Sequence, residues 1–411
     1  MPATDTSSDF AVHEELLLRI CAAPDSDHLG RMKLLDDAGW AKLAGLAEDK
    51  RVSALVLRAL DIAEARQLVP AAPLKQMESA RQWHALYALK QMAAIKRLML
   101  KLGDAEFRPI LLKGFGLAHA SYPDPGLRPL RDVDLLLTAE EAPKAQALLL
   151  ADRHYRIAPW AGSYGMDYGH QLPEIQDIGD ELTIEIHHRI NARNWPQEPL
   201  LLEMLRCEAT DLSIMGIDVL IPSHRSNFLH LAEHATLHHA FENGPLILAD
   251  LHFLVTRHRP DWSEILEAAS RMGLLRALQL LMAVAQQLGA SWVPENFMNT
   301  DAVGCANVAA AKLGMLQSHE QAEQYKLLRR LEKREGGNSG WLAAFRRLAH
   351  PDPHELAKLA GSRSDDMRRW LYYPAWVLQK GQRYLSTSLD PRSLEAARRE
   401  ASMVEWLSQS D

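Results

Sequence analysis

The sequence is poor in cysteine and lacks both a long apolar run and an excess of positive charge. Its three cysteines, Cys21, Cys207 and Cys305, are far apart and lack the spacing of a metal site. They argue against a secreted disulfide scaffold and favour a reducing cytoplasm. No stretch approaches the roughly 18 apolar residues that a membrane span needs, and the polar N-terminus lacks the pattern of a signal peptide. We therefore expect a cytoplasmic protein without a transmembrane segment.

Positive charge is scarce over most of the chain. The 411 residues include 46 Lys and Arg against 53 Asp and Glu, which gives a net charge of −7. Residues 1–325 carry 30 basic and 42 acidic side chains, whereas residues 326–400 carry 16 basic and 9 acidic ones. This balance speaks against extensive nucleic-acid binding, which needs a basic surface. It leaves a basic C-terminal segment whose role the charge pattern does not define.

Hydrophobic periodicity predicts an α/β unit inside an otherwise helical chain. Apolar residues recur at helical spacing through residues 11–103, and this helical pattern ends after Gly103. Short apolar or alternating runs predict strands at 107–112, 133–137, about 154–159, 171–176 and 182–190. The last two are predicted to form a hairpin. Helices are predicted over 115–122, 139–151, 224–288, 303–334 and, with proline interruptions and after a glycine-rich break at 336–340, over 341–408.

These patterns divide the chain into four regions. They are an N-terminal helical region (1–103), an α/β core (104–222), a helical region that packs on the core (223–335) and a basic C-terminal helical region (336–411). Within the core, the strand pattern itself is recognised only as far as residue 195.

Two aspartates interrupt the second predicted strand. Asp132 and Asp134 are separated by one residue, so on a strand both carboxylates project from the same face while Val133 and Leu135 face the core. Neighbouring ionised carboxylates repel each other, and a divalent cation removes that repulsion. Mg²⁺ commonly binds one or two carboxylates together with phosphate oxygens and water. An isolated Asp-x-Asp pair is more often a turn cap than a metal site, so the neighbouring residues decide.

A third carboxylate lies on the last predicted strand. Residues 182–190 alternate, with Leu182, Ile184 and Ile186 on one face and Glu185 and His187 on the other. If this strand lies beside the Asp132–Asp134 strand, three carboxylates converge. Such a group around one or two Mg²⁺ ions is typical of phosphoryl or nucleotidyl transfer. If Glu185 is considered alone, the alternative to a metal ligand is a residue on an edge strand that points into solvent.

The spacing of these residues resembles that of a known family. The motifs are Leu112-Lys-Gly114, Arg128-Pro129, Asp132-Val-Asp-Leu-Leu136 and Glu185-Ile-His187. Over roughly residues 80–260 they resemble the signature of the uncharacterised bacterial nucleotidyltransferase family of the DNA polymerase β superfamily. The resemblance implies an α+β fold, in which a small mixed-sheet nucleotidyltransferase core of the polymerase β type carries N-terminal and C-terminal helical regions.

The resemblance also implies roles for individual residues. The catalytic and metal-binding carboxylates are Asp132, Asp134 and Glu185, and the cofactor is Mg²⁺ or Mn²⁺. The nucleotide-binding residues that it implies are Lys113, Gly114, Arg128 and His187. Gly114 opens the helix whose N-terminus receives the triphosphate, Lys113 and Arg128 contact phosphate, and Glu185 is also a candidate base for the acceptor hydroxyl.

The function that we expect is ATP- or other NTP-dependent nucleotidyl transfer with Mg²⁺. A nucleoside monophosphate moves from a nucleoside triphosphate to a hydroxyl or phosphate of a small-molecule or peptide acceptor, as in the tailoring of natural products. One alternative is a toxin-like nucleotidyltransferase that acts on RNA or protein, which the basic 326–400 segment favours. Another is a catalytically inactive nucleotide-binding module.

Two further segments stand out. His230, His234 and His238 have the spacing of one helix face, which fits either a zinc site or a helix packed beside the active site, and a later Asp250 accompanies such helices in the family. We favour packing, because Leu231 stands where a zinc-protease motif needs glutamate. The stretch 368–378 mixes arginines with aromatic residues. Packing in a helical core is favoured there over docking on a membrane surface or on single-stranded nucleic acid.

Overall fold

The structure of the chain is a computed structural model. It describes residues 10–159, 161, 169–179, 182–191, 195–294, 303–318, 321, 356, 359, 367–378 and 391–409. The predicted break at 336–340 and much of the predicted helices over 303–334 and 341–408 lie outside the described residues.

The N-terminal region is helical, as predicted. Its helices are α1 (Val12–Ala22), α2 (Leu29–Met32), α3 (Asp37–Asp49), α4 (Ser53–Ile62) and α5 (Ala71–Asp104). Pro70 precedes α5, where a missing N–H costs nothing because the first turn of a helix has no partner for it. The C-terminal half of this long helix buries Ile95, Leu98 and Leu102 at helical spacing. That half consequently forms the layer on which the sheet packs.

The sheet has seven strands in the described residues and is mixed, which confirms the predicted fold class. The strands are β1 (Ile110–Leu112), β2 (Asp132–Leu136), β3 (Tyr155–Ile157), β4 (Ile175–Asp177), β5 (Thr183–His187), β6 (Thr210–Ile214) and β7 (Ile217–Ile221). Their order is β3-β4-β5-β2-β1-β7-β6. The β2–β5 and β1–β7 pairs are parallel and the others antiparallel. Helices α6 (Gly114–Ser121) and α7 (Glu141–Leu150) follow β1 and β2.

The β4–β5 hairpin confirms the pairing predicted from the sequence. The strand pattern, however, does not end near residue 195 as expected, because β6 and β7 form a second hairpin that extends the sheet past β1. Its turn is Met215-Gly216, and both residues have positive φ. Two-residue hairpin turns with that geometry are usually marked by Asn-Gly or Asp-Gly. Because Met215 stands where asparagine or aspartate is usual, the sequence does not indicate this turn.

The two faces of the sheet pack against different helices. Val133 and Leu135 belong to a core that also contains the end of α5 and part of α7. Leu112 and Leu136 belong to a second, larger core shared with the N-terminal helices and the helices after residue 223. Because Asp134 shares a face with Leu136, its carboxylate lies on the side of this second helical layer.

The remaining helices form that second layer and its surroundings. They are α8 (Glu198–Cys207), α9 (His224–Glu233), a π-helical turn (His234–His238), α10 (Leu246–His258), α11 (Trp262–Arg271), α12 (Leu275–Gln287), α13 (Cys305–Leu316) and α14 (Pro391–Ser408). Lys312 of α13 pairs with Glu15 of α1 at 2.9 Å, so α13 contacts the N-terminal helix. Among the described residues, no helix combines the length and the apolar character that a membrane crossing requires.

The 368–378 stretch differs from the expected core packing. Trp376 is buried, but Trp370 is 40% and Tyr372 43% exposed in the short helix Met367–Tyr372. These two rings precede Pro374 and lie outside the core.

Candidate active site

Parallel pairing of β2 with β5 brings the predicted carboxylates together. In register, Asp134 lies opposite Glu185 and Asp132 lies opposite Thr183. Each of Asp134, Glu185 and His187 offers a ligand atom within 4.8 Å of the other two. Asp132, two residues before Asp134, projects from the same face and is half-buried. The four side chains form one polar group on the neighbouring strands β2 and β5.

Two nitrogen donors neutralise the buried Asp134. Lys113 Nζ lies 2.8 Å and His187 Nε2 lies 2.9 Å from Asp134 Oδ1. His187 Nε2 also lies 3.3 Å from Glu185 Oε2. The Asp134 side chain is only 3% exposed, whereas that of Glu185 is 18% exposed. A carboxylate this deeply buried stays charged only when it is paired, and Lys113 and His187 meet that need.

Lys113 and His187 lower the pKa of Asp134 and so give the two aspartates different pKa values. Burial, together with the charges of Asp134 and Glu185, raises the pKa of Asp132 to about 7. Burial also opposes ionisation of Asp134, but Lys113 and His187 outweigh it and hold the pKa of Asp134 well below its usual value. For His187, burial is outweighed by the hydrogen bonds to Asp134 and Glu185, which raise its pKa. Asp134 therefore loses its proton at a lower pH than Asp132 does.

The turn after β1 presents Lys113 to this group. Lys113 has φ 47° and ψ −133° and is the N-cap residue of α6. A side-chain-bearing residue in such a conformation costs about 1–3 kcal/mol, and strain of this kind clusters at functional sites. Gly114 begins the helix, and a Cβ there would lie 3.3 Å from Leu130 and 3.4 Å from Arg128 Nη1. The sequence Lys-Gly thus allows a sharp strand-to-helix turn beside the carboxylates.

Arg128 is held by a carboxylate rather than by the cluster. Its Nε and Nη2 each lie 2.9 Å from an oxygen of Asp250 on α10, and Tyr122 donates its hydroxyl to the same carboxylate at 2.5 Å. The bidentate pair fixes the plane of the guanidinium group, with Nη1 on the side of Gly114. Asp250 is therefore a positioning residue for Arg128. Its signal in the sequence is a lone acid within the apolar helix α10.

Comparison with protein families identifies the family of this chain. A family model described as an uncharacterised nucleotidyltransferase matches residues 36–290, which is well over half of the chain. The chain belongs to this family. No curated protein and no solved structure matches it.

As a nucleotidyltransferase, the chain is an enzyme that acts on a nucleoside triphosphate. The matched range contains β1, β2, β5, α9 and α10, so every residue of the site lies within it. Nucleotidyltransferases generally use divalent metals. The Asp134 and Glu185 carboxylates fit such an ion, and His187, hydrogen-bonded to both, orients them as an outer partner does.

Several residues near the site gave no functional signal in the sequence. The ring centroid of His170 lies 5.2 Å from that of His187 and 4.9 Å from that of His238. Arg51, in the turn between α3 and α4, interacts electrostatically with both Arg131 and Asp132: burial and Arg131 lower its pKa while Asp132 raises it. The N-terminal helical region therefore contributes an arginine to the surroundings of the carboxylates. Only tertiary packing places it there.

Proposed function

We propose that this nucleotidyltransferase moves a nucleoside monophosphate from a triphosphate, ATP or another, to a hydroxyl or phosphate of a small-molecule or peptide acceptor. Asp132, Asp134 and Glu185 are the catalytic carboxylates and hold Mg²⁺ or Mn²⁺. The observation that supports the proposal is the pairing of Asp134 with Glu185 across adjacent parallel strands. A metal-binding carboxylate group on a nucleotidyltransferase sheet is an expected site for this chemistry.

A divalent cation in this group supplies charge neutralisation of the triphosphate and makes the α-phosphorus more electrophilic. The chain prepares its own carboxylates for that task. Lys113 and His187 keep Asp134 ionised in a buried position. Because a metal ligand must be deprotonated, an already ionised Asp134 binds a cation without losing a proton.

Cationic groups around the carboxylates supply the triphosphate contacts in this proposal. The α6 N-terminus at Gly114 is a suitable anion site because its first amides lack partners within the helix. Lys113 lies at that terminus, and Asp250 directs Arg128 Nη1 toward it. Arg51 interacts electrostatically with both Arg131 and Asp132. The triphosphate thus meets positive groups near the metal ligands.

The proposed reaction exchanges one bond to phosphorus for another. The acceptor oxygen forms a bond to the α-phosphorus, and the bond from that phosphorus to the bridging oxygen of pyrophosphate breaks. Pyrophosphate leaves with the bonding electron pair. A hydroxyl acceptor gives its proton to Glu185, the more exposed of the two paired carboxylates.

Pyrophosphate release and nucleotide binding test the proposal. The four common triphosphates are supplied with Mg²⁺ or Mn²⁺ and a small-molecule and peptide extract as the acceptor source. We expect binding and pyrophosphate formation with the wild-type chain, and at least about a hundredfold loss of turnover in Asp132→Asn and Asp134→Asn. Asp218→Asn, an exposed carboxylate on β7 of the same sheet, is the matched control. Unchanged turnover in both aspartate variants, or no binding of any triphosphate, contradicts the proposal.

The acidic body of the chain favours a small acceptor over RNA. Residues 1–325 carry a clear excess of acidic side chains, which repels a polyanion. Full-length protein mixed with labelled RNA at low salt is expected to show no shift. Tight, salt-sensitive RNA binding and nucleotide transfer to RNA support the toxin-like alternative instead. Nucleotide binding without turnover on any acceptor supports the inactive module.

A further inference from the structure

A π-helical turn rearranges the histidines that follow α9. In an α-helix the residues three and four positions apart are neighbours, whereas the wider π turn, with i to i+5 hydrogen bonds, brings residues five apart together. His234 and His239 are five apart, and their ring centroids lie 4.4 Å from each other. The His238 ring stacks on His239 at 4.5 Å. His239 thereby joins a group that helical spacing alone does not assign to it.

The three rings present their nitrogens to one another. One ring nitrogen from each of His234, His238 and His239 lies within 4.8 Å of the other two, and all three side chains are half-buried. His234 Nδ1 is buried and makes no hydrogen bond to any part of the chain that the structure describes. A buried polar atom without a partner needs an explanation. A cation bound between the rings provides one.

The ligand atoms of these three histidines determine which kind of cation they bind best. Among the residues that the structure describes, the group consists of three imidazoles, whereas Mg²⁺ and Ca²⁺ prefer oxygen ligands. Imidazole nitrogen suits Zn²⁺, Co²⁺ and Ni²⁺.

We infer that His234, His238 and His239 form a binding site for a transition-metal ion of the Zn²⁺ class, separate from the carboxylate group. Three histidines with a remaining open position are a known ligand set of zinc. His170 lies between the two groups, with its ring near those of His238 and His187. The site shares no residue with Asp132, Asp134 or Glu185, so its occupation does not require the proposed nucleotidyl transfer.

Cobalt binding to the full-length protein tests the inference. Chelator-treated, dialysed protein is titrated with Co²⁺ in the presence of excess Mg²⁺, and visible absorption and bound metal are measured. We expect one Co²⁺ per chain, displaced stoichiometrically by Zn²⁺. Paramagnetically shifted, exchangeable imidazole N–H signals from histidine are expected in the proton spectrum of the wild-type complex. This measurement needs no variant and so remains informative if a variant fails to fold.

Matched variants identify the ligands. His234→Gln and His239→Gln are expected to weaken Co²⁺ binding about a hundredfold or more, because loss of an outer partner alone costs about 10- to 100-fold. His154→Gln, an exposed histidine after α7, and Asp134→Asn in the carboxylate group are expected to retain the Co²⁺ site. Far-ultraviolet circular dichroism verifies that each variant is folded.

The outcomes separate this inference from the function proposed above. Retained cobalt binding in Asp134→Asn together with lost turnover supports both. Absence of histidine signals, or equal Co²⁺ affinity in wild type and in folded His234→Gln, overturns the histidine site and leaves the carboxylate site untouched. Loss of the cobalt site in Asp134→Asn but not in His239→Gln also overturns it.

Discussion

Lys113 shows how single residues set the charge state of the site. Its ammonium group lies 2.8 Å from Asp134 Oδ1, in a pair whose side chains are only 15% and 3% exposed. Removing one partner of a buried pair leaves the other charge uncompensated. In the protein without metal, the Lys113 ammonium group therefore supplies the positive charge that a metal ion would provide to Asp134.

Lys113→Met is expected to destabilise the protein by about 3–5 kcal/mol in the absence of divalent metal. Added Mg²⁺ or Mn²⁺ is expected to restore part of that loss, because a ligand that binds only the folded state stabilises it. Urea unfolding with and without the metal measures both effects. The control is Lys101→Met, whose partner Asp152 is at the surface, so about 0–1 kcal/mol is expected. Equal losses in the two variants contradict the assignment.

Asp25 supplies a prediction about acid stability. His252 Nε2 lies 3.1 Å from Asp25 Oδ2. This hydrogen bond and Arg58 outweigh burial and lower the pKa of Asp25 from 3.8 to about 2. A lowered folded-state pKa contributes stability that is present above about pH 4 and is lost as the pH falls toward 2.

The difference in unfolding free energy between wild type and Asp25→Asn is accordingly expected to shrink between pH 5 and pH 2. Urea unfolding at several pH values measures it. Asp37→Asn, in the first turn of α3, is the control and is expected to show a small difference. A wild-type advantage that stays constant down to pH 2 contradicts the prediction.

At the scale of elements, the close approach of α6 to β7 fixes the geometry after β1. A Cβ on Gly116 would lie 2.8 Å from Ile221 Cγ2 and 3.3 Å from the Leu111 carbonyl oxygen. Gly116→Ala is therefore expected to cost about 1–3 kcal/mol through overpacking. Gly103→Ala, where a Cβ meets nothing within 4 Å, is expected to gain about 0.4–1 kcal/mol.

Chemical denaturation of both glycine variants measures the contrast. The double variant Gly116→Ala with Ile221→Ala is expected to recover part of the loss, since the obstructing methyl group is removed. If Gly116→Ala is as stable as wild type, α6 and β7 are not in the contact described.

The sequence predicted elements whose signal is local and missed those whose signal is not. Val133–Leu137 and Leu182–Ile190 show apolar or alternating patterns, and the strands β2 and β5 form within or beside these ranges. The β6–β7 hairpin was missed because its turn is Met215-Gly216. The shared face of Asp132 and Asp134 follows from strand geometry alone, but their meeting with Glu185 depends on which strands pair. Likewise, α-helical spacing indicated His230, whereas the π turn brings His239 to His234.

At the scale of the whole molecule, the core extends beyond the range that matches the family. Leu16, Leu17 and Leu18 of α1 are fully buried and belong to the same cluster as Phe228 and Leu248 near the site. The N-terminal helix precedes the matched residues 36–290. It is nevertheless part of the structure that supports the second helical layer.

Leu17→Ala is therefore expected to destabilise the entire chain by about 2–5 kcal/mol. Leu34→Ala, at a leucine that is 65% exposed, is expected to change stability by less than about 0.5 kcal/mol. Thermal unfolding followed by circular dichroism compares the two. Similar melting temperatures for wild type and Leu17→Ala would show that α1 is dispensable for the fold.

The parallel pairing of β2 with β5 also has a consequence for the order of folding. Parallel neighbours cannot be joined by a tight turn, so α7, β3 and β4 intervene between Asp134 and Glu185. Contacts between distant parts of a chain form only after long loops have closed. On the ribosome, a chain that has not yet reached β5 holds the aspartates without their partner. Under the proposed function, nucleotide transfer therefore begins only after β5 has been synthesised and has paired with β2.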